Sequence, residues 1–119
     1  MQADLIRLQH MRDAAYDAIG FVNGRDRKDL DSDRLLAYGL VKAIEVIGEA
    51  ANQVSKESQG RFPEIPWRGI IAMRHRTVHG YIDVDHDVDH DVVWVTVTER
   101  LPELVVAIDT AIIDLQESS

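Results

Sequence analysis

Three stretches of this chain repeat apolar residues at helical spacing, and Gly- and Pro-containing segments separate them. That pattern leaves little room for any fold but a packed set of helices. The C-terminal stretch is the most telling. Val92 to Thr98 is β-branched and would suit a strand by propensity alone, yet Val93, Val97, Leu101, Leu104, Ile108 and Leu115 keep helical spacing to the end. The spacing predicts helix, with Pro102 kinking it or marking a restart. The first stretch, about Gln2 to Val22, carries Leu5, Leu8, Ala15, Ile19 and Val22, and Asn23-Gly24 supplies a stop. The second, about Asp33 to Ser55, carries Leu40, Ile44, Ile47, Ala51 and Val54, with Asp31 or Ser32 as its cap. Gly48 inside it suggests a close helix crossing.

Between these lie three segments without long apolar periods. Arg25 to Asp33 is charged and reads as a loop. Lys56 to Pro66 holds Gly60, Pro63 and Pro66 and reads as a second loop, with Pro66 placed to begin a third helix over Trp67 to Val78 that Gly80 ends. Asp83 to His90 is a tandem Asp-Val-Asp-His, too short for a structural repeat, and reads as a loop after that helix. The expected architecture is a single all-α domain over residues 1–119, roughly four or five antiparallel helices in a bundle.

Composition narrows what such a bundle can do. The 119-residue chain has no cysteine, which removes disulfides, thiolate metal sites and thiol nucleophiles and fits a reducing compartment, the cytoplasm. The N-terminus shows no basic region followed by an apolar run, so no signal peptide is expected, and no apolar run approaches membrane-spanning length. The net charge is −8, whereas a protein holding nucleic acid by long-range attraction should be basic. Nucleic acid would have to be gripped locally, by a few cations in a cleft. Glu45 and Glu49 form an i, i+4 carboxylate pair that suits a solvated helix face.

One segment concentrates reactive groups: Met73-Arg-His-Arg-Thr-Val-His-Gly-Tyr81. On a helix, Trp67, Ile71, Arg74 and Val78 share one stripe, with Arg74 its only charge. A guanidinium on an apolar stripe demands an anionic partner or an interface. His79 follows five residues later and would point about 140° away on a continuous helix. Either the helix ends near Val78 and His79 swings round, or two copies of the segment face each other across a two-fold axis; the second is favoured and makes a homodimer part of the mechanism. Histidine can take a proton from a ribose 2′-hydroxyl or return one to a leaving 5′-oxygen, and arginine can bind the phosphate and stabilise its transition state. Such a pair cleaves RNA without metal and spares DNA, which lacks the hydroxyl. The plain alternative is a surface histidine beside a paired arginine. A rival reading is a metal site on His75 and His79, at i, i+4, joined by His86, His90 and the aspartates. Others are a non-catalytic helical binding module and a plain structural dimer.

The chain resembles the HepT-like toxins of the HEPN superfamily. The resemblance rests on Arg74, His79 and Tyr81, on Glu45-Val-Ile-Gly-Glu-Ala-Ala51, Pro63-Glu-Ile-Pro-Trp67, Val93-Trp94 and Thr98-Glu-Arg-Leu-Pro102, and it covers nearly the whole chain. It implies an all-helical HEPN-like homodimer and a cofactor-free endoribonuclease toxin of a type II/VII-like toxin–antitoxin pair, with Arg74 and His79 of both subunits lining a cleft. It also implies a minimal nucleotidyltransferase antitoxin, associating with the toxin, that silences it by adding AMP to Tyr81. Two features depart from the family's pattern. His75 stands where asparagine is common, as a supporting group for substrate, and the tandem Asp-Val-Asp-His lengthens the stretch after the motif and brings negative charge near the intended RNA site.

Overall fold

The computed structural model describes residues 2–72 and 86–118, with the side chains of 86–89 outside that description. The described part is all-α and contains no strand. Its elements are α1 (Gln2–Phe21), α2 (Asp29–Ser32), α3 (Arg34–Gln53), α4 (Lys56–Arg61), α5 (67–72 as far as described), α6 (His86–Val95), a π-helical turn (Thr96–Arg100) and α7 (Leu101–Glu117).

α1 and α3 form the central hairpin, and α7 packs on α1. Leu8, Met11, Ala15 and Ala18 of α1 are wholly buried, and they meet Ala37, Leu40, Ile44, Ile47 and Ala51 of α3 in a common core. The abundance of alanine on both faces lets the two helix backbones approach closely. Two contacts show that the pair is antiparallel. Asp4 near the start of α1 bonds Ser55 just past α3, while the Phe21 ring at the end of α1 lies over Gly39, where an added Cβ would meet it at 3.5 Å. All five predicted α3 stripe residues are buried, and so are all six predicted along the C-terminal stretch. α1 stops where expected, at a turn that closes with Gly24 in the left-handed region at φ 75°.

The intervening segments hold the surprises. Arg25 to Asp33 is not a plain loop. It contains α2, and ion pairs rather than apolar burial organise it: Arg25 reaches Asp33 at 2.8 Å and Asp29 at 3.4 Å, the Asp26 N–H donates to Asp29 at 2.7 Å, and Leu30 alone drops into the core. The cap of α3 is Asp33, whose Oδ1 accepts from the Leu36 N–H at 3.1 Å, and neither Asp31 nor Ser32. Each was chemically able to cap, but Asp31 is taken by other partners described below. Lys56 to Pro66 likewise is not a continuous loop. Ser55 caps the two-turn α4 by accepting from the Ser58 N–H at 3.1 Å. A helix this short has no room to show an apolar period.

The second Asp-Val-Asp-His unit is also helical, since α6 begins at His86. The backbone then widens at Thr96–Arg100, where the Leu101 N–H bonds the Thr96 carbonyl five residues back. Pro102, at the first turn of α7, lacks the N–H for an ordinary helical bond, and its ring would press on a carbonyl four residues earlier. The wider turn relieves both conflicts, so the predicted kink at Pro102 is realised as a π turn just before it. The Thr98 hydroxyl adds a 2.7 Å bond to the Trp94 carbonyl inside the same stretch. None of the helices is long and apolar enough to cross a membrane, among the described residues.

Candidate functional site

Arg74, His75, His79 and Tyr81 all lie in 73–85, outside the described residues. The structure defines what leads into that segment, what leads out of it, and which grooves lie on the scaffold around it.

The lead-in is rigidly seated. Phe62, Ile65 and Trp67 are buried, and the Trp67 indole N–H donates to the Phe62 carbonyl at 3.0 Å. The Ile70 N–H donates to the Pro66 carbonyl at 2.9 Å, so Pro66 flanks α5 as its N-cap and the helix itself starts at Trp67, one residue later than expected. Trp67 and Ile71 occupy the stripe expected of them, buried and half-buried. α4, which precedes this segment, is fixed to α1 by a buried carboxylate. Asp4 accepts from the Ser55 N–H at 2.9 Å, the Ser55 hydroxyl at 2.6 Å and the Ser58 hydroxyl at 2.6 Å. Burial pushes the Asp4 carboxyl up, but the Ser55 and Ser58 hydrogen bonds more than offset it and leave the group below the usual carboxylate range.

The lead-out is seated by charge. His90 of α6 is buried, and its Nδ1 lies 3.0 Å from Asp31 Oδ1 in α2. Arg27 donates to Asp91 at 2.6 Å and to Asp31 at 3.0 Å. The hydrogen bond from His90, and then that from Arg27, holds the Asp31 carboxyl below its ordinary value. Sequence reasoning missed this cluster because its members are 59 and 64 residues apart along the chain. It missed Asp4 as well, although a signal existed: Asp4 lies one turn before Leu8 on the buried stripe of α1, the same oddity that singled out Arg74 on its own stripe.

Two concavities flank the helices. A cavity of about 380 Å³ lies among α3, α5, the π turn and α7, with Ile44, Ile47, Ile70 and Leu104 on its apolar walls and Glu64, Arg100 and Glu103 also lining it. A smaller groove of about 170 Å³ between α1 and α3 carries Arg7, His10, Lys42, Glu45 and Glu49, where Lys42 pairs with Glu45 at 3.5 Å. The groove thus gathers cations on an acidic protein but balances them with carboxylates. No group of three or more His, Asp or Glu is placed to hold a metal ion among the described residues. Of the histidines in the rival metal reading, His75 and His79 lie outside the description, as does the His86 side chain, while His90 bonds Asp31.

Comparison with known proteins identifies the family to which the sequence belongs. Residues 11–111 match the family described as "Ribonuclease HepT-like". A Methanocaldococcus jannaschii protein named "Putative RNase MJ0125" is 30% identical over 101 residues, 85% of this chain and 84% of its own. A Caldanaerobacter subterraneus protein named "Putative RNase TTE0752" is 30% identical over 97 residues, 82% of this chain and 83% of its own. A Thermococcus cleftensis protein named "Probable ribonuclease HepT" is 35% identical over 77 residues, 65% of this chain and 66% of its own. No solved structure matches. The chain belongs to the HepT-like ribonuclease family, and the matched span contains the whole of Met73 to Tyr81.

Proposed function

We propose that this protein is a metal-independent endoribonuclease, the toxin of a two-component toxin–antitoxin pair acting in the cytoplasm. The family match over residues 11–111 carries the reading, because it spans the Arg74–His79–Tyr81 motif together with the helices that flank it. In the mechanism, His79 takes the proton of a ribose 2′-hydroxyl. The 2′-oxygen attacks the adjacent phosphorus, and the bond to the 5′-oxygen breaks. The leaving oxygen receives a proton from a second imidazole, that of the paired subunit. The products are a 2′,3′-cyclic phosphate and a 5′-hydroxyl end. Arg74 binds the non-bridging oxygens and stabilises the charge that builds on them. His75 supports substrate binding. The distribution of roles between two imidazoles is the reason the active form is a homodimer with a HEPN-like cleft between subunits.

Control acts on the same segment. A nucleotidyltransferase antitoxin associates with the toxin and adds AMP to Tyr81, placing bulk and a negative phosphate two residues from the general base, where RNA phosphate must enter. The deciding experiment is cleavage of matched RNA and DNA oligonucleotides by the purified chain. RNA should be cut to cyclic-phosphate ends, DNA should be untouched, and His79→Ala should abolish cutting while the protein stays folded. Equal cleavage by His79→Ala, or growth unaffected by expressing the native chain, would sink the reading. The net charge of −8 favours one second reading, a non-catalytic module that only binds the nucleotidyltransferase.

A further inference from the structure

Of the three long helices, α7 alone carries charge of one sign. Leu101–Glu117 holds Glu103, Asp109, Asp114 and Glu117 and no lysine, arginine or histidine, whereas α1 and α3 mix both signs. Two of the four acids are engaged. Asp109 accepts from the Tyr16 hydroxyl at 2.9 Å, and Asp114 meets Arg61 at 3.2 Å. Glu103 and Glu117 have no side-chain bond or ion pair among the described residues.

The same helix keeps apolar residues on the side turned from the core. Leu104, Ile108 and Leu115 are buried along one line, while Val106 and Ile113 are 68% and 54% exposed. At about 100° per residue, Val106 and Ile113 lie almost opposite that line, and Pro102 and Thr110 join them within an arc of about 80°. The Thr110 hydroxyl donates to the Val106 carbonyl at 3.0 Å, so its donor is spent within the helix and the stripe stays apolar. Single exposed apolar residues are ordinary. Two aliphatic side chains seven residues apart on one outer face have the spacing by which a helix grips another laid along it.

Charge decides what can lie there. Glu103 and Asp109 flank the stripe about 60° to either side of Val106, and Glu117 closes its end. Two copies of this face would set carboxylates against carboxylates, and RNA or an anionic membrane would bring phosphates to them. The groove between α1 and α3 is no basic counterpart on a second copy either, because its cations sit among Glu45 and Glu49 and Lys42 already pairs with Glu45.

We propose that the outer face of α7 docks a basic amphipathic helix of another protein, whose apolar stripe lies on Val106 and Ile113 and whose lysines or arginines meet Glu103 and Glu117. Docking here is independent of the ribonuclease reading, since it uses none of the residues assigned to cleavage.

The probe is a synthetic helical peptide of about five turns, with leucine at a and d and lysine at e and g of each heptad, where the lysines also keep it from pairing with itself. Its controls carry glutamate for lysine, or the same residues in scrambled order. Titrated into the isotope-labelled full chain and followed by NMR, the lysine peptide should bind at about 10–100 μM and shift the amides of 103–117 first. Both controls should bind at least about tenfold more weakly. Val106→Ser/Ile113→Ser should weaken binding about tenfold, and Glu103→Gln/Glu117→Gln about fivefold with a shallower salt dependence. All four positions are exposed, so both variants should keep the native thermal midpoint. Failure of the native chain to bind the lysine peptide overturns the proposal. Equal binding of the scrambled peptide does so too, by reducing the effect to the net charge of −8. So does an RNA oligonucleotide that shifts the same amides. Loss of self-association in Val106→Ser/Ile113→Ser, seen by analytical ultracentrifugation without peptide, would make the face a contact between copies and overturn it as well.

Discussion

Asp4 and Ser58 are 54 residues apart in sequence and 2.6 Å apart in the fold, the hydroxyl donating to a carboxylate buried between α1 and α4. With Ser55, this bond is the polar joint that lets a two-turn helix without an apolar stripe hold its place. Replacing Asp4 with alanine leaves the Ser55 N–H and two hydroxyls facing an apolar gap. Each such loss costs about 1–3 kcal/mol, so urea unfolding of Asp4→Ala should show a fall in stability of that order. A change within error would mean that water replaces the carboxylate without penalty.

The same residue sets an acid limit. The folded-state pKa of Asp4 lies below the ordinary aspartate value of 3.8, and Asp31 and Asp33 are depressed as well, by His90 and Arg25 respectively as the leading cause. A group whose pKa falls on folding contributes stability that is complete above its unfolded value and is lost as pH drops through the folded one. Stability should therefore hold down to the ordinary carboxylate range and decline below it. Thermal unfolding of native chain and Asp4→Asn across this range should converge at the acid end; parallel curves would refute the assignment.

Gly39 offers the opposite result. It sits within α3 with the Phe21 ring 3.5 Å from where a Cβ would be, an ordinary packing distance. Alanine there gains helix propensity, worth up to about 1 kcal/mol, and a contact with the ring. Gly39→Ala should raise the midpoint of thermal unfolding by a few degrees, and a lower midpoint would show that the Phe21 ring cannot accommodate the methyl group.

Cleavage should persist in EDTA. The proposed chemistry uses the 2′-hydroxyl, imidazole and guanidinium alone, so chelation should leave the rate within about twofold. Complete loss restores the metal reading with His75 and His79 as ligands.

Tyr81→Phe should still cut RNA but should escape silencing by its nucleotidyltransferase. Intact-mass measurement of native chain co-expressed with that partner should show added AMP, and the Tyr81→Phe variant should show none. Unmodified native chain in a silenced complex would rule out this mode of control.

The long helices were legible in the sequence because burial repeats every turn: Leu40 to Val54, and Val93 to Leu115, are buried where the period places them. α2 and α4 were not legible, because each is too short for a period and is held by side-chain bonds to partners elsewhere, Arg25 to Asp33 in one case and Asp4 to Ser55 in the other. Trp67 and Ile71 take up the start of the stripe that made Arg74 conspicuous, while Arg74, His75, His79 and Tyr81 themselves lie beyond the described residues. The run of side-chain bonds from Asp91 through Arg27 and Asp31 to His90 depends on tertiary contact alone, and no local pattern announces it.

Pro102 and the π turn at Thr96–Arg100 also constrain how this chain can change over time. Deleting one residue from the turn while Pro102 remains forces the pyrrolidine ring against a helical carbonyl. Replacing Pro102 while the extra residue remains leaves a wide turn with nothing to justify it. Neither step back to a regular helix is favourable alone, so the two features are expected to be gained and lost together, as an epistatic pair, among descendants of this sequence.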